Sequence, residues 1–246
     1  MTVTTAANDL QQPAEYAPGL LVQHFHPPLA LADFGLIAFD MDSTLINIEC
    51  VDEIAAAAGR KHQVAAITEA AMRGEIADYK QSLRERVALL RGVSETSLEQ
   101  IYRERLQLNP GARELVAACR AAGLKVLLVS GGFTWYADRV CTTLGIDFAR
   151  SNVLEIEGGR LTGRMVDQPW GDICDGEEKK RMLLATCTQL NLQPSQAIAV
   201  GDGANDLPMM SVVGLSVAYH AKPKVREQAM VAINEGGLGR LLEVFA

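Results

Sequence analysis

Residues 37–45 read Ile37-Ala38-Phe39-Asp40-Met41-Asp42-Ser43-Thr44-Leu45, an apolar run that ends in two aspartates and two hydroxyl side chains. An apolar run of this length before a polar turn is typical of a buried strand in a parallel sheet. Asp40 would then lie at the carboxyl end of the strand, where open α/β sheets build their ligand sites. Two nearby acids gain nothing from packing in a core, so the stretch predicts a site for something cationic.

The composition is that of an ordinary globular protein. The 246 residues, 48% of them hydrophobic, suffice for one large domain or for a core domain with an insertion. A net charge of −7 argues against a nucleic-acid partner, because phosphate backbones attract basic surfaces. No segment approaches the apolar length of about 20 residues that a membrane span needs, and residues 1–20 lack a signal-peptide pattern. Five scattered cysteines without zinc spacing indicate reduced thiols, so we predict a cytoplasmic protein.

Strand and helix patterns alternate after residue 109, and they define the fold class. Buried strands are predicted at 124–129, 196–200 and 214–218, with helices between them. Residues 152–162 alternate apolar and polar side chains about Gly158-Gly159, which predicts a β-hairpin. Together with the first strand, this order predicts an α/β fold with a Rossmann-like parallel sheet and helices on both faces.

The segment between the first two strands shows a different pattern. It contains helical periodicity and no strand candidate, so it predicts an all-helical, four-helix cap inserted into the core. The predicted helices cover residues 51–58, 62–72, 79–90 and 94–106. The sequence therefore predicts three parts. Residues 1–33 form an N-terminal extension that is partly irregular. Residues 34–46 and 109–246 form the core domain, and residues 47–108 form the cap.

Three of the predicted strands end in polar loops, Asp40–Thr44, Ser130–Gly132 and Gly201–Asp206. The carboxyl ends of parallel strands meet at one edge of a sheet, so these loops converge on one site. If that site binds a phosphate monoester, its carboxylates cannot stay ionised together without a divalent cation. Mg²⁺ is the best candidate, because it prefers oxygen ligands and bridges to phosphate, and no His/Cys cluster suggests zinc.

The residue types at these loops fit phosphoryl transfer through a covalent intermediate. Asp40 is the predicted nucleophile, which would form an aspartyl-phosphate. Asp42 is the predicted general acid and base. Ser130 Oγ and the Gly131 N–H would donate hydrogen bonds to the phosphoryl oxygens, and Lys179 would supply a positive charge. The predicted metal ligands are Asp40, Asp42 and Asp202, with Asp206 holding the metal or its waters.

The combination resembles the haloacid dehalogenase superfamily and, within it, the phosphoserine phosphatase family, from about residue 34 to the end of the chain. The residues that carry the resemblance are Asp40-Met41-Asp42-Ser43-Thr44, Glu49, Gln81–Val87, Val129–Phe133, Lys179, Gly201–Asp206 and Tyr219–Pro223. The resemblance implies a Mg²⁺-dependent phosphoric monoester hydrolase that converts O-phospho-L-serine to L-serine and phosphate, the last step of serine biosynthesis.

The resemblance also implies roles for residues that the sequence alone does not single out. Glu49 would bind the ammonium group of the substrate and Arg84 its carboxylate, since arginine binds carboxylates in a bidentate manner. Met72 and Tyr79 match apolar positions on the cap side of the site. Asn205 matches a residue near the phosphate and the attacking water.

The choice of Lys179 rests on its separation from Asp202, which matches the family; Lys180 is the alternative. Some relatives carry a larger regulatory domain before the core, and we expect none here.

Other functions remain open from the sequence. The nearest is a phosphatase or phosphotransferase of the same superfamily with another small phosphate ester. A receiver domain and a non-catalytic binding module fit less well, because the order of the acids and the intact catalytic set argue against them. The sequence does not decide between a monomer and a homodimer.

Overall fold

The computed structural model describes residues 13–72 and 78–246, and of residues 70–72 the backbone alone. The strands are β1 (Ala14–Ala17), β2 (Leu20–Val22), β3 (Leu36–Phe39), β4 (Lys125–Phe133), β5 (Phe148–Glu157), β6 (Arg160–Val166), β7 (Ala197–Gly201), β8 (Leu215–Tyr219) and β9 (Val231–Ile233). The helices are α1 (Cys50–Ala57), α2 (Lys61–Met72), α3 (Tyr79–Ala88), α4 (Glu95–Glu104), α5 (Ala112–Ala121), α6 (Thr134–Leu144), α7 (Gly176–Gln189), α8 (Leu207–Met210) and α9 (Pro223–Gln228). None of the helices in these ranges is long and apolar enough to cross a bilayer.

The strands form one sheet in the order β1-β2-β9-β8-β7-β3-β4-β5-β6. The strands from β9 to β5 in this order pair in parallel, while β2 and β6 join the two sides antiparallel. This topology confirms the predicted α/β class. From β3 the chain first builds outward through β4 and β5 and then returns to β7 on the other side. The neighbours β3 and β7 therefore flank the switch point at which open α/β sheets bind ligands.

β3 is buried on both faces. All four of its residues are fully buried, and successive side chains belong to different core clusters: Ile37 and Phe39 to one, Leu36 and Ala38 to the other. A strand alternates its side chains between the two faces of the sheet, so each face carries its own apolar layer. This double burial explains why the strand is an unbroken apolar run in the sequence.

Helices α1 to α4 lie between β3 and β4 in the chain; we call residues 47–108 the helical insertion. Ser94 caps the N-terminus of α4, with its hydroxyl accepting the Ser97 N–H at 3.1 Å. The insertion is tied to the core by α3, where Lys80 Nζ lies 2.7 Å from Asp172 Oδ1 and Arg84 pairs with the other oxygen.

The structure differs from the sequence-based expectations in two elements. Residues 1–33 were assigned no strand, yet β1 and β2 form a hairpin that extends the sheet through β9. Strands of four and three residues between prolines are too short to show a periodicity. Ser130–Gly132 was expected to be a loop but belongs to β4, whose pairing with β5 is irregular between Val129 and Phe133.

Two glycines that flank α5 offer a matched test of packing. Gly111 and Gly123 both have positive φ, 79° and 92°. A Cβ at Gly111 would lie 2.2 Å from the Gly239 nitrogen, whereas a Cβ at Gly123 would meet no described heavy atom within 4 Å. We expect each alanine substitution to cost about 1–2 kcal/mol for the left-handed backbone. Gly111→Ala should cost about 1–3 kcal/mol more because of the clash. Urea unfolding of both variants measures the difference, and equal losses would contradict the described packing.

Candidate active site

The three predicted loops meet at the carboxyl edge of the sheet, where they line a cavity of about 350 Å³. One wall comes from the core and the other from the helical insertion. The core contributes Asp40, Asp42, Ser130, Gly131, Gly132, Phe133, Asp202, Gly203, Asn205 and Lys222. The helical insertion contributes Glu49, Val51, Asp52, Thr68, Tyr79, Leu83 and Arg86.

Lys179 lies behind Asp40, a residue that lines this cavity, and its side chain is fully buried. Its Nζ is 2.8 Å from Asp40 Oδ1 and 2.7 Å from Asp206 Oδ1. Burial disfavours the ammonium form, but the carboxylates of Asp206 and Asp40 more than offset this and raise the pKa of Lys179 well above its ordinary value. Lys180, the alternative, is half-buried and lines a surface groove elsewhere on α7. The structure therefore brings Lys179, and not Lys180, to Asp40.

The turn after β3 fixes the orientation of Asp40. The Asp40 N–H donates to the Val200 carbonyl of β7 at 2.9 Å, which anchors the start of the turn. Asp40 Oδ1 accepts the Met41 N–H at 2.7 Å as well as the Lys179 ammonium. A hydrogen bond from Ile46 to Met41 closes the turn at 3.0 Å. Burial, and then the charge of Asp206, raise the pKa of Asp40, so its ionised form depends on nearby positive charge.

Asp42 faces the start of α1. Its Oδ2 accepts the Cys50 N–H at 2.8 Å, and its Oδ1 accepts the Cys50 thiol at 3.1 Å. Burial, and then the charge of Glu49, raise the pKa of Asp42 from 3.8 to about 7, while the Cys50 hydrogen bonds oppose this rise. A carboxyl group whose pKa lies near the working pH can both give and take a proton.

The end of β4 brings backbone close to the cavity. Ser130 is fully buried, and its Oγ accepts the Gly132 N–H at 2.9 Å. A Cβ at Gly131 would lie 2.2 Å from Tyr79 Oη, so only glycine permits this approach of the helical insertion. Asn152, which the sequence analysis did not single out, donates to the Gly131 carbonyl at 2.8 Å and accepts the Cys174 N–H at 2.8 Å. The sequence shows only an asparagine at the start of the predicted hairpin, because its burial and its hydrogen-bond partners depend on the fold.

Carboxylate oxygens of Asp40, Asp202 and Asp206 lie within 4.8 Å of one another and could hold a cation. Asp206 is already engaged, since its Oδ1 contacts Lys179 and its Oδ2 accepts the Gly203 N–H at 3.0 Å. Burial, followed by the charges of Asp206 and Glu49, raises the pKa of Asp202 to about 7. Lys179 contacts two of these three carboxylates, and the remaining excess of negative charge favours a metal ion with oxygen ligands. The Asp42 carboxylate, a predicted ligand, is turned toward Cys50 and lies outside this cluster.

The helical insertion places one acid and one arginine on the cavity wall. Glu49 accepts a hydrogen bond from the Ser43 hydroxyl at 2.6 Å, and Ser43 holds φ at +55° to do so. Arg86 lines the cavity, with its Nε donating to the Ser82 carbonyl at 3.3 Å. Tyr79 lines the cavity and lies beside Gly131.

The structure does not bring Arg84 to this cavity. Its side chain is 51% exposed, pairs with Asp172 and lines a separate cavity. Residues two apart on a helix are rotated by about 200° about its axis, so Arg84 and Arg86 leave opposite sides of α3. The predicted carboxylate-binding residue, Arg84, therefore faces away from this cavity, whereas Arg86 lines it. The side chain of Met72 lies outside the described residues. Asn205 lines the cavity beside Asp202.

Comparison with known proteins identifies the family to which this sheet and its acidic turn belong. The profile of the haloacid dehalogenase-like hydrolases matches residues 37–211, and the chain belongs to this family. The matched residues begin in β3 and include each of the three polar loops.

Two relatives and one solved structure show which members of the family this chain is similar to. A phosphoserine phosphatase of Polaromonas sp. is 74% identical over 233 residues, which cover 95% of this chain and 99% of that protein. A phosphoserine phosphatase of Albidiferax ferrireducens is 73% identical, with 95% of this chain and 98% of that protein covered. A solved phospho-aspartyl intermediate analogue of phosphoserine phosphatase matches with a TM-score of 0.79 and 35% identity over 87% of this chain and 99% of that one.

The raised pKa of Asp202 predicts that ionisation of this carboxyl group lowers the stability of the metal-free protein as the pH rises. A folded-state pKa of about 7 against an ordinary 3.8 means that the folded state binds this proton more tightly. The resulting stability is present at low pH and is lost as the pH rises through about 7. We expect Asp202→Asn, measured in EDTA, to raise Tm relative to wild type at pH 8, with a gain that shrinks toward pH 5.

Asp172→Asn provides the opposite control for this experiment. Lys80 lowers the pKa of Asp172 to about 2, so its contribution is lost only as the pH falls through that value. Its substitution should lower Tm by a similar amount at pH 5 and pH 8. A gain for Asp202→Asn that does not change with pH would contradict the assigned shift.

Proposed function

We propose that the chain hydrolyses O-phospho-L-serine to L-serine and phosphate. The observation that carries this proposal is the buried Asp40–Lys179 pair at the floor of a cavity whose wall carries Glu49 and Arg86. The floor fits a phosphate ester, and the wall offers one charge of each sign for an amino acid zwitterion. The names of the relatives, phosphoserine phosphatases at up to 74% identity, support the same substrate.

Magnesium is the proposed cofactor. Asp40 and Asp202 would hold it directly, and Asp206 would orient Asp202 and the loop through its bonds to backbone N–H groups at 3.0 Å and 3.2 Å. The donor set consists of oxygens, which suits Mg²⁺. When bound, the ion would neutralise the excess negative charge of the three carboxylates and the phosphate.

The proposed reaction has two displacements at phosphorus. Asp40 attacks the phosphorus atom, the bond from phosphorus to the serine oxygen breaks, and Asp42 gives its proton to that oxygen. Asp42 then takes a proton from water, which attacks the aspartyl-phosphate and releases phosphate and Asp40. Throughout, Lys179, Ser130 and the backbone N–H groups of the turn stabilise charge on the phosphoryl oxygens.

The helical insertion would select the substrate and exclude water. Glu49 would bind the substrate ammonium and Arg86, in place of Arg84, its carboxylate, since the two line the same cavity with opposite charges. Tyr79 closes against Gly131 and narrows the cavity. Exit of serine then requires the insertion to move away from the core, as lids of this kind do.

The five cysteines are free thiols, which supports a reducing, cytoplasmic compartment.

The direct test is release of phosphate from O-phospho-L-serine by the purified protein with MgCl₂ and with EDTA. O-phosphothreonine and p-nitrophenyl phosphate serve as comparison substrates. We expect Mg²⁺-dependent turnover with kcat/KM highest for phosphoserine, because it alone fits both charges of the wall without an extra methyl group. Turnover of p-nitrophenyl phosphate without a preference for phosphoserine would support the proposed attack by Asp40 but would reject phosphoserine as the substrate. A large rise in rate on adding other alcohols would favour phosphotransfer.

The two arginines of α3 give a matched pair of variants. We expect Arg86→Ala to lower kcat/KM for phosphoserine about 10- to 100-fold, mainly through KM, because a hydrogen-bonded charge pair with the substrate is lost. Arg84→Ala removes an exposed ion pair to Asp172 and should change kcat/KM by less than about threefold. Steady-state kinetics of both variants decides between them, and a larger loss for Arg84→Ala would reverse the assignment.

A further inference from the structure

Cys50 is the first residue of α1 and contacts both oxygens of Asp42. Its backbone N–H donates to Oδ2 at 2.8 Å and its thiol donates to Oδ1 at 3.1 Å. The backbone contact comes from the N-terminal end of an eight-residue helix, whose partial positive charge favours a carboxylate. The thiol contact, in contrast, requires a side chain that can donate a hydrogen bond, and cysteine provides that donor at position 50.

The thiol and β4 enclose the same oxygen. Cys50 is fully buried in the larger core cluster. A Cβ at Gly132 would lie 3.2 Å from the same atom, Asp42 Oδ1, so the backbone of β4 packs close to that oxygen. Oδ1 is therefore approached both by a donor from the helical insertion and by the last residues of a core strand. Such enclosure restricts the carboxyl group to one orientation.

We propose that Cys50 is a positioning residue for the proton transfers of Asp42. Its thiol holds the carboxyl group in the orientation from which Asp42 gives its proton to the serine oxygen as the phosphorus–oxygen bond breaks. The proton moves from Asp42 to serine, and the sulfur keeps its own. Because Cys50 lies on α1, the acid is aligned by the helical insertion and not by the core alone. This inference rests on the proposed function of Asp42.

Two other roles for this thiol fit less well. Burial, followed by the charge of Asp42, raises the pKa of Cys50 well above its ordinary value, so the sulfur stays protonated and is a poor nucleophile. Simple core packing would be served equally by alanine or valine. It would not require a donor aimed at a carboxylate oxygen.

The leaving group separates positioning from packing. Serine alkoxide is a strong base and needs a proton as it leaves, whereas p-nitrophenolate is a weak base and leaves without one. The ratio kcat/KM reports every step up to departure of the leaving group. Loss of positioning should therefore lower kcat/KM for phosphoserine and spare p-nitrophenyl phosphate, while general damage to the site would lower both.

The experiment measures kcat/KM for both substrates with saturating MgCl₂ in wild type, Cys50→Ala, Cys50→Val and Cys50→Ser. Valine fills the space of the thiol if the alanine variant does not fold. We expect the alanine and valine variants to lose about tenfold on phosphoserine and less than about twofold on p-nitrophenyl phosphate. Serine, which keeps a donor, should restore phosphoserine turnover to within about threefold of wild type.

Cys119→Ala is the matched control, because Cys119 is also fully buried but lies on α5, outside the residues that line the cavity. It should match the thermal destabilisation of Cys50→Ala and leave both substrates within about twofold of wild type. Equal losses on the two substrates, or a serine variant as slow as the alanine variant, would overturn the inference. If the wild-type protein does not hydrolyse phosphoserine, both the proposed function and the role of Cys50 are rejected. If the wild-type protein is active but Cys50→Ala leaves the ratio of the kcat/KM values for the two substrates unchanged, only the role of Cys50 is rejected.

Discussion

The structure depends on a buried ammonium group. Lys179 is fully enclosed, and a buried charge is tolerated only when it is paired and hydrogen-bonded. Its partners, Asp40 and Asp206, follow β3 and β7, so the pairing ties α7 to the two strands at the switch point. Removing one partner from such a pair costs about 3–5 kcal/mol. The same contacts that stabilise this edge of the sheet also fix Asp40 and supply positive charge where a phosphoryl group would bind.

The residues proposed for catalysis and the residue proposed for substrate selection lie within one short stretch of the chain. Asp40 and Asp42 lie in the turn after β3, while Glu49 and Cys50 begin the helical insertion only a few residues later. The hydrogen bonds from Ser43 to Glu49 and from Cys50 to Asp42 connect the two groups directly. The helical insertion is therefore not a passive cover. A change in its position moves the proposed ammonium-binding acid and the proposed general acid together.

The sequence predicted those features that a buried strand or a chain of loops imposes. β3 and β7 were identifiable because double burial leaves an unbroken apolar run, and the convergence of the polar loops follows from parallel topology. The sequence predicted Arg84 and not Arg86 at the cavity, because the rotation of α3 is set by packing against the core, which no local pattern contains. The β1–β2 hairpin was missed because its strands are too short, and Asn152 because its partners are remote in the chain.

The hairpin at residues 14–22 also determines what this molecule presents to its neighbours. β9 is three residues long, and without β2 it would leave a row of unpaired backbone groups at the edge of a parallel sheet. Exposed edges of this kind pair with other chains and lead to aggregation. β2 covers that edge, and β1, which follows it outward, is four residues long with an irregular register between Glu15 and Ala17. The new edge is therefore short and irregular, two features that disfavour pairing with the edge of another chain.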